Sequence, residues 1–463
     1  MSITSTLTTI GAAGAGGDIN FVYEASHSSG NLILSAVCLD SQENIIATGG
    51  LTGTQDKVYV VKLDKNGNKL WDKLIAHSTS DTTAPMDGGI DVDSNDNIYL
   101  CLGTNTTSGA TRLYKLDSDG NYQRHVTINR AYGKGNVTIG STDAIWVSAY
   151  DTGSNGYFAG HYDTNLDDVY AYYFRADDTP EMFKFMYNNS STRFYVYAED
   201  RTGSEFYPYY IRLSDGTFEG PAVATNRISA AGPNITRIYS DWVNKTFSNS
   251  NSYRWAFSEG TIDNSQRMIV NLRWSSQTTG VSAAGITYHS DWNNGAWIQP
   301  YSCVGYGTTS GMLVGGQKRF GTEGDYAFIY RNVTPNTASS TRQVLAITHS
   351  SFTAVKTVSM RYSASSDFLV AGIGDATTNK TITGSGTGFI ILKIPPQFTA
   401  SAIAGTYGNT TLADKTGDFI NLTATITNLT PDSILSGISS ANSPDTNGST
   451  STATGISQTL TEI

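Results

Sequence analysis

Short apolar runs alternate along the whole chain with clusters of Gly, Asn, Asp, Ser and Thr. Runs of this kind, bounded by turn residues, predict strands, and no segment sustains the 3.6-residue period of an amphipathic helix. Two stretches repeat in register. "DSQENIIATGGLTGTQDKVYVVKLDKNGN" begins at Asp40, and "DSNDNIYLCLGTNTTSGATRLYKLDSDGN" begins at Asp93, an offset of 93 − 40 = 53 residues. Asp40, Ser41, Asn44, Ile45, Gly50, Lys62, Leu63, Asp64, Gly67 and Asn68 recur as Asp93, Ser94, Asn97, Ile98, Gly103, Lys115, Leu116, Asp117, Gly120 and Asn121. Each unit predicts four strands. In the first, one strand ends at Asp40, and others cover 44–49, 57–63 and 69–75. "DKNGN" makes a hairpin turn in which Gly67 supplies a positive φ. Four short antiparallel strands at a period near 50 residues mark a β-propeller blade.

Weaker copies follow. Their central strands are "AIWVSAY" from Ala144, "RFYVYAED" from Arg193, "YRWAFSEG" from Tyr253, "GMLVGG" from Gly311 and "DFLVAGIG" from Asp367. The expected architecture is all-β: a propeller of seven blades of four antiparallel strands over residues 29–396. Residues 1–28 are expected to form an N-terminal arm, within which "DINFVYEAS" from Asp18 pairs into the last blade and closes the ring. Residues 397–463 are expected to form a C-terminal extension with one strand, "DFINLTATITNL" from Asp418, and a low-complexity tail.

Composition narrows the classes. Charged residues make up 15% of the 463, against about 25% in typical soluble proteins. Aromatics at 11% are enough for a core, so general disorder is excluded. No apolar run approaches the length of a membrane helix. A net charge of −10, with no Lys or Arg before Lys57, offers no electrostatic basis for nucleic-acid or membrane partners. The first thirty residues lack the basic start and apolar stretch of a secretory signal. Cys38, Cys101 and Cys303 are odd in number and widely spaced, which suggests no disulfide framework.

Candidate chemistry is sparse. The six histidines are scattered, and no nucleophile elbow or phosphate-binding loop appears. Asp91, Asp93, Asn95, Asp117 and Asp119 offer hard oxygen ligands at alternate positions, which invites a calcium reading. The same residue types serve as ordinary turn formers, and that reading is preferred. No cofactor is expected. Aromatics gather at Tyr172 and Tyr173, at Tyr209, and at Trp292 and Trp297. Such rings fill the space between blades, line subunit interfaces or stack on sugars.

The units around "DNIYLCLG" and "YKLDSDGN" resemble the β-propeller repeats of bacterial extracellular proteins. The low charge, the Tyr, Thr and Gly richness and the "IGAAGAGG" start are similar to structural proteins of tailed-phage particles. That resemblance implies a non-enzymatic virion component of the tail or fibre region, assembled in the host cytoplasm. It would join copies of itself and other virion proteins through residues 1–28 and 397–463. The alternatives are a glycan- or receptor-binding adhesin that meets a host surface glycan and, less favoured, a polysaccharide-active propeller enzyme.

Overall fold

The computed structural model describes residues 3–11, 19–27, 31–52, 57–76, 85–104, 111–128, 135–140, 143–175 without 152–155, 297–306, 311–319, 324–332, 342–352, 355–375, 388–422 and 457–458, together with the strand backbone between 183 and 289. The chain is all-β and propeller-like, built from small antiparallel sheets.

Two strands, β1 (Ile3–Thr9) and β2 (Phe21–His27), precede the first repeat. The first sheet holds β3 (Asn31–Leu39), β4 (Ile45–Thr52), β5 (Lys57–Leu63) and β6 (Lys69–Ala76). The second holds β7 (Pro85–Val92), β8 (Ile98–Thr104), β9 (Thr111–Leu116) and β10 (Tyr122–Ile128). Next come β11 (Gly135–Ile139), β12 (Ile145–Asp151), β13 (Gly156–Tyr162) and β14 (Asp168–Arg175). The following sheet is β15 (Phe183–Tyr187), β16 (Arg193–Thr202), β17 (Glu205–Ser214) and β18 (Thr217–Ala224). A two-residue ladder joins β19 (Asn234–Ile235) to β22 (Gly260–Thr261). Around it, β20 (Trp242–Phe247), β21 (Ser250–Ser258), β23 (Met268–Trp274) and β24 (Val281–His289) form a sheet. Another contains β25 (Trp297–Tyr306), β26 (Gly311–Arg319), β27 (Tyr326–Asn332) and β28 (Gln343–His349). The last contains β29 (Val355–Ser363), β30 (Phe368–Asp375) and β31 (Gly388–Ile394), and its fourth strand is β2.

The first strand of each sheet packs against the first strand of the next. β3 contacts β7, β7 contacts β11, β11 contacts β15, β15 contacts β20, β20 contacts β25, β25 contacts β29, and β29 returns to β3. β2 runs antiparallel to β31, with Val22 opposite Leu392 and Ala25 opposite Phe389.

The terminal segments add strands to the outer edges of the chain's own sheets. β1 pairs with β2 along its length, from Ile3 opposite His27 to Thr9 opposite Phe21. The hairpin β32 (Gly405–Tyr407) and β33 (Thr410–Asp414) joins β28, and β34 (Phe419–Leu422) joins β24. β35 (Ser457–Gln458) pairs with β6. Glu24 of β2 ties these ends together: it accepts hydrogen bonds from the Asn409 N–H at 3.0 Å and from Thr410 Oγ1 at 2.6 Å.

The core lies between consecutive sheets. Ile45, Ala47, Tyr59 and Val61 pack against Val370, Phe389 and Ile391, while Ile46, Val58 and Val60 meet Ile90, Leu100 and Leu116 on the other side. Both faces of a sheet are therefore covered, which is why β31 reads as a fully buried run rather than alternating. Close stacking fixes some small residues. A Cβ on Gly372 of β30 would stand 2.6 Å from Leu34 Cδ2 and 2.8 Å from Val37 Cγ1 in the neighbouring sheet.

Candidate functional site

Antiparallel order sends the connections to two opposite ends. One end carries the tight turns between first and second strands and between third and fourth strands. The other carries the second-to-third-strand loops and the connections from one sheet to the next.

At the turn end one five-residue device recurs. In each copy the leading Asp N–H donates to the carbonyl four residues on, and the fourth residue has a positive φ. Leading residues are Asp40, Asp64, Asp93, Asp117 and Asp163. The positive-φ residues are Glu43, Gly67, Asp96, Gly120 and Leu166. The leading carboxylate completes the turn. Asp93 Oδ1 accepts from the Asn95 and Asn97 N–H groups, both at 2.9 Å, and Oδ2 accepts from Asn97 Nδ2 at 2.8 Å and Tyr99 Oη at 3.0 Å. Asp117 accepts likewise from the Asp119 and Asn121 N–H groups and from Asn121 Nδ2. The repeated Asp and Asn positions are thus joined by turn hydrogen bonds.

Asp91 belongs to a different environment. Its Oδ2 accepts the Ile139 N–H of the next sheet at 2.8 Å. Burial pushes its carboxyl up, against opposing contributions from Arg361 and from the Ile139 and Val92 N–H groups. Asp119 is exposed. Among the described residues, no group of three or more His, Cys, Asp or Glu side chains converges as a metal site would require.

Serine–carboxylate contacts latch the first sheet to the second, the second to the third, and the last to the first. Ser41 donates its N–H and hydroxyl to Asp96 at 2.8 and 2.7 Å, and Ser94 does the same to Asp143 at 2.9 and 2.6 Å. Ser363, Ser365 and Ser366 donate to Glu43. Burial raises the Glu43 carboxyl, but those three hydroxyls and a backbone N–H outweigh it and leave it below the usual carboxylate range. Farther out, third-strand lysines reach the next sheet's turn. Lys393 donates to the Lys65 carbonyl at 2.7 Å, Lys62 to the Ser118 carbonyl at 3.2 Å, and Lys115 to the Thr164 carbonyl at 2.6 Å. The repeated "Lys-Leu-Asp" is therefore an inter-sheet latch followed by a turn.

The opposite end differs. Four first strands carry a register shift, at Ser35 in β3, Met86 in β7, Tyr301 in β25 and Val358 in β29. A bulge re-aims a side chain and is frequent beside functional sites. Tyr301 is half-buried there, with its hydroxyl 3.5 Å from Gln317 Oε1 on β26. Lys356, near the start of β29, places its ammonium 5.1 Å from the centroid of the Tyr301 ring. Gln317 is 2% exposed, and its Nε2 has no hydrogen-bond partner. Turning the amide over would leave an unpartnered oxygen instead. Lys318 is committed nearby: it donates to the Gly324 carbonyl at 2.9 Å.

The aromatics singled out from the sequence fall on separate sheets. Tyr172 and Tyr173 lie on β14, opposite Ala159 and Phe158. Tyr209 lies on β17, and Trp297 opens β25 at its connection end. Their side chains, and all of Trp292, lie outside the described residues. Tyr301, Gln317 and Lys356 were not singled out. Pro300 was the available signal, because proline within a strand belongs at an edge or a bulge.

No family model and no curated protein matches the chain. Among solved structures, the chain is similar to the exo-β-1,3-galactanase of Phanerochaete chrysosporium crystallised with β-1,3-galactotriose, at 11% identity and a TM-score of 0.34. That match covers 90% of this chain and 100% of the galactanase. A bifunctional GH43-CE protein of Bacteroides eggerthii matches at 8% identity and a TM-score of 0.29, over 86% of this chain and 63% of that one. These findings correct the expectation of a non-enzymatic phage structural protein, because the similar structures are of carbohydrate-active enzymes. At such TM-scores no residue, substrate or activity passes from them to this chain.

Proposed function

We propose that the chain is a seven-bladed β-propeller, closed by β2, that holds a carbohydrate at its connection end beside the ring of first strands. The carrying observation is the grouping of Tyr301, Gln317 and Lys356. A half-buried aromatic ring sits on a bulge, next to a buried amide with an unpartnered polar atom and an ammonium. Binding sites combine apolar or aromatic surface with a few polar groups of this kind. A sugar ring can lie against tyrosine while its hydroxyls pair with the amide and phenol, which amphipathic aromatics favour. The turn end supports the assignment by contrast, since its repeated polar groups already bond to one another.

The test is a glycan panel scored for both binding and release of new reducing ends, so that holding and hydrolysis are read together. Tyr301→Ala is expected to weaken binding about tenfold at an unchanged melting temperature. Trp297→Ala probes the same end. Absence of binding and turnover across the panel, or indifference to Tyr301→Ala, refutes the reading.

A further inference from the structure

We propose that the outer edge of β1 is an interface between two copies of this chain, joined by antiparallel β1–β1 pairing about a two-fold axis at Thr6. The proposal is independent of the carbohydrate reading, since β1 is the outermost strand of its sheet whereas Tyr301 lies on an innermost one.

An edge strand offers a row of backbone donors and acceptors to any strand that meets it. Proteins blunt such edges with charge, proline, bulges or brevity. Among the described residues, the other outermost strands of the larger sheets are blunted in these ways. β10 carries Arg124 and a register shift, and β14 carries Asp168, Arg175 and a register shift. β18 carries Glu219, Pro221 and two register shifts. β32, β34 and β35 span four residues or fewer. β1, "ITSTLTT", has seven residues, no charge, no proline and an unbroken register with β2.

β1 is also held in place before any partner arrives. Leu7 lies against the Gly67 turn, where a Cβ would stand 2.6 Å from its Cδ1. Thr8 lies against the β32–β33 hairpin, where a Cβ on Gly408 would stand 3.4 Å from its Oγ1. A strand positioned in this way loses little further freedom on pairing.

Phase and charge choose the occupant. The Ile10 N–H donates to the Asn20 carbonyl at 2.8 Å. By the period of two, Thr8, Thr6 and Thr4 also direct their backbone groups to β2, and Thr9, Leu7, Ser5 and Ile3 direct theirs outwards. An antiparallel copy centred on Thr6 sets Ser5 opposite Leu7 and Ile3 opposite Thr9, so every outward group meets an outward group. Thr6 then faces Thr6 as a non-hydrogen-bonded pair, the closer of the two kinds. Thr4 faces Thr8, and such Thr–Thr pairs are favourable across strands. Two copies of net charge −10 repel at long range, but no charged side chain precedes Asp18, so the contact itself is neutral. A charged partner would find nothing there to complement. A two-fold closes on itself, which limits assembly to a pair. One strand pair is small beside the roughly 1,600 Å² of a standard interface, so the dimer is weak, in the micromolar range.

Sedimentation of the full chain over about 1 to 100 µM reads this association. The weight-average mass is expected to rise from one chain towards two and to stop there. Thr6→Lys sets like charges opposite each other on the axis and is expected to weaken association about tenfold or more. The melting temperature of the dilute protein should stay in place, because Thr6 is exposed. Thr6→Cys is expected to give a disulfide-linked dimer on a non-reducing gel, with wild type as the blank for the native cysteines. Thr4→Cys, which faces Thr8 instead, is expected to link far less. A mass that stays at one chain at the highest concentration, association unchanged in Thr6→Lys, growth past two chains, or equal cross-linking of Thr6→Cys and Thr4→Cys overturns the proposal.

Discussion

Lys62→Met tests whether the third-strand lysines hold the sheets together. The Lys62 ammonium lies 2.8 Å from Asp40 Oδ2 and donates to the Ser118 carbonyl in the next sheet at 3.2 Å. The side chains of Lys62 and Asp40 are only 9% and 1% exposed. Removing one partner of a buried ion pair costs about 3–5 kcal/mol when the remaining charge is left uncompensated. Asp40 is partly compensated, because Gln42 N–H, Asn44 N–H and Asn44 Nδ2 still donate to it. The expected loss is therefore smaller, about 2 kcal/mol, and it falls to under about 1 kcal/mol in Lys62→Met with Asp40→Asn, where the stranded charge is gone. Lys115→Met is the internal control. Lys115 donates to the Thr164 carbonyl and stands 5.7 Å from the Tyr99 ring centroid. It shares the latch geometry, so its loss should be about 1 kcal/mol, that of an ordinary hydrogen bond. Urea unfolding followed by tryptophan fluorescence gives all four values. Equal stability of Lys62→Met and wild type, within about 0.5 kcal/mol, refutes the latch.

Three further outcomes follow from the same geometry. His27, His125, His161 and His349 are all held below the ordinary histidine value, first by burial. The unfolded chain therefore binds more protons below about pH 6.5, and the melting temperature should fall as pH drops from 7 to 5; a rise would contradict the assignment. Gly372→Ala places a Cβ against Leu34 and Val37 of the adjacent sheet and should destabilise by about 1–3 kcal/mol, read by the same denaturant titration. Glu24→Ala removes the acceptor for Asn409 and Thr410, so limited proteolysis should cut near residues 405–414 sooner than in wild type.

Legibility in the sequence followed the physics of each part. The turns were visible because their geometry demands Asp, Asn and Gly at fixed offsets, and Lys62 and Lys115 recur because each reaches the next turn. The central strands of the later copies were visible as apolar runs: "AIWVSAY", "RFYVYAED" and "DFLVAGIG" overlap β12, β16 and β30. β1 was not, because Ile3–Thr9 is a Thr- and Ser-rich edge strand with mostly exposed side chains and no apolar alternation. The β32–β33 hairpin was missed for a similar reason: its strands are short, and a distant edge organises them. The site was hidden more deeply. Tyr301, Gln317 and Lys356 come from three strands of two sheets, and only a bulge brings them together. Their meaning lies in convergence, which no single segment displays.

Ring closure by β2 is the central claim, and a cross-link measures it directly. Ala25 lies opposite Phe389 in the β2–β31 register, although 364 residues separate them in sequence. Ala25→Cys with Phe389→Cys should oxidise to an intramolecular disulfide that shifts mobility on a non-reducing gel. Each single variant should remain unlinked. Cross-linking in high yield, with the folded state retained, is the predicted result. No cross-link in a folded protein would mean that β2 does not complete the last sheet and that the ring is not closed in this way.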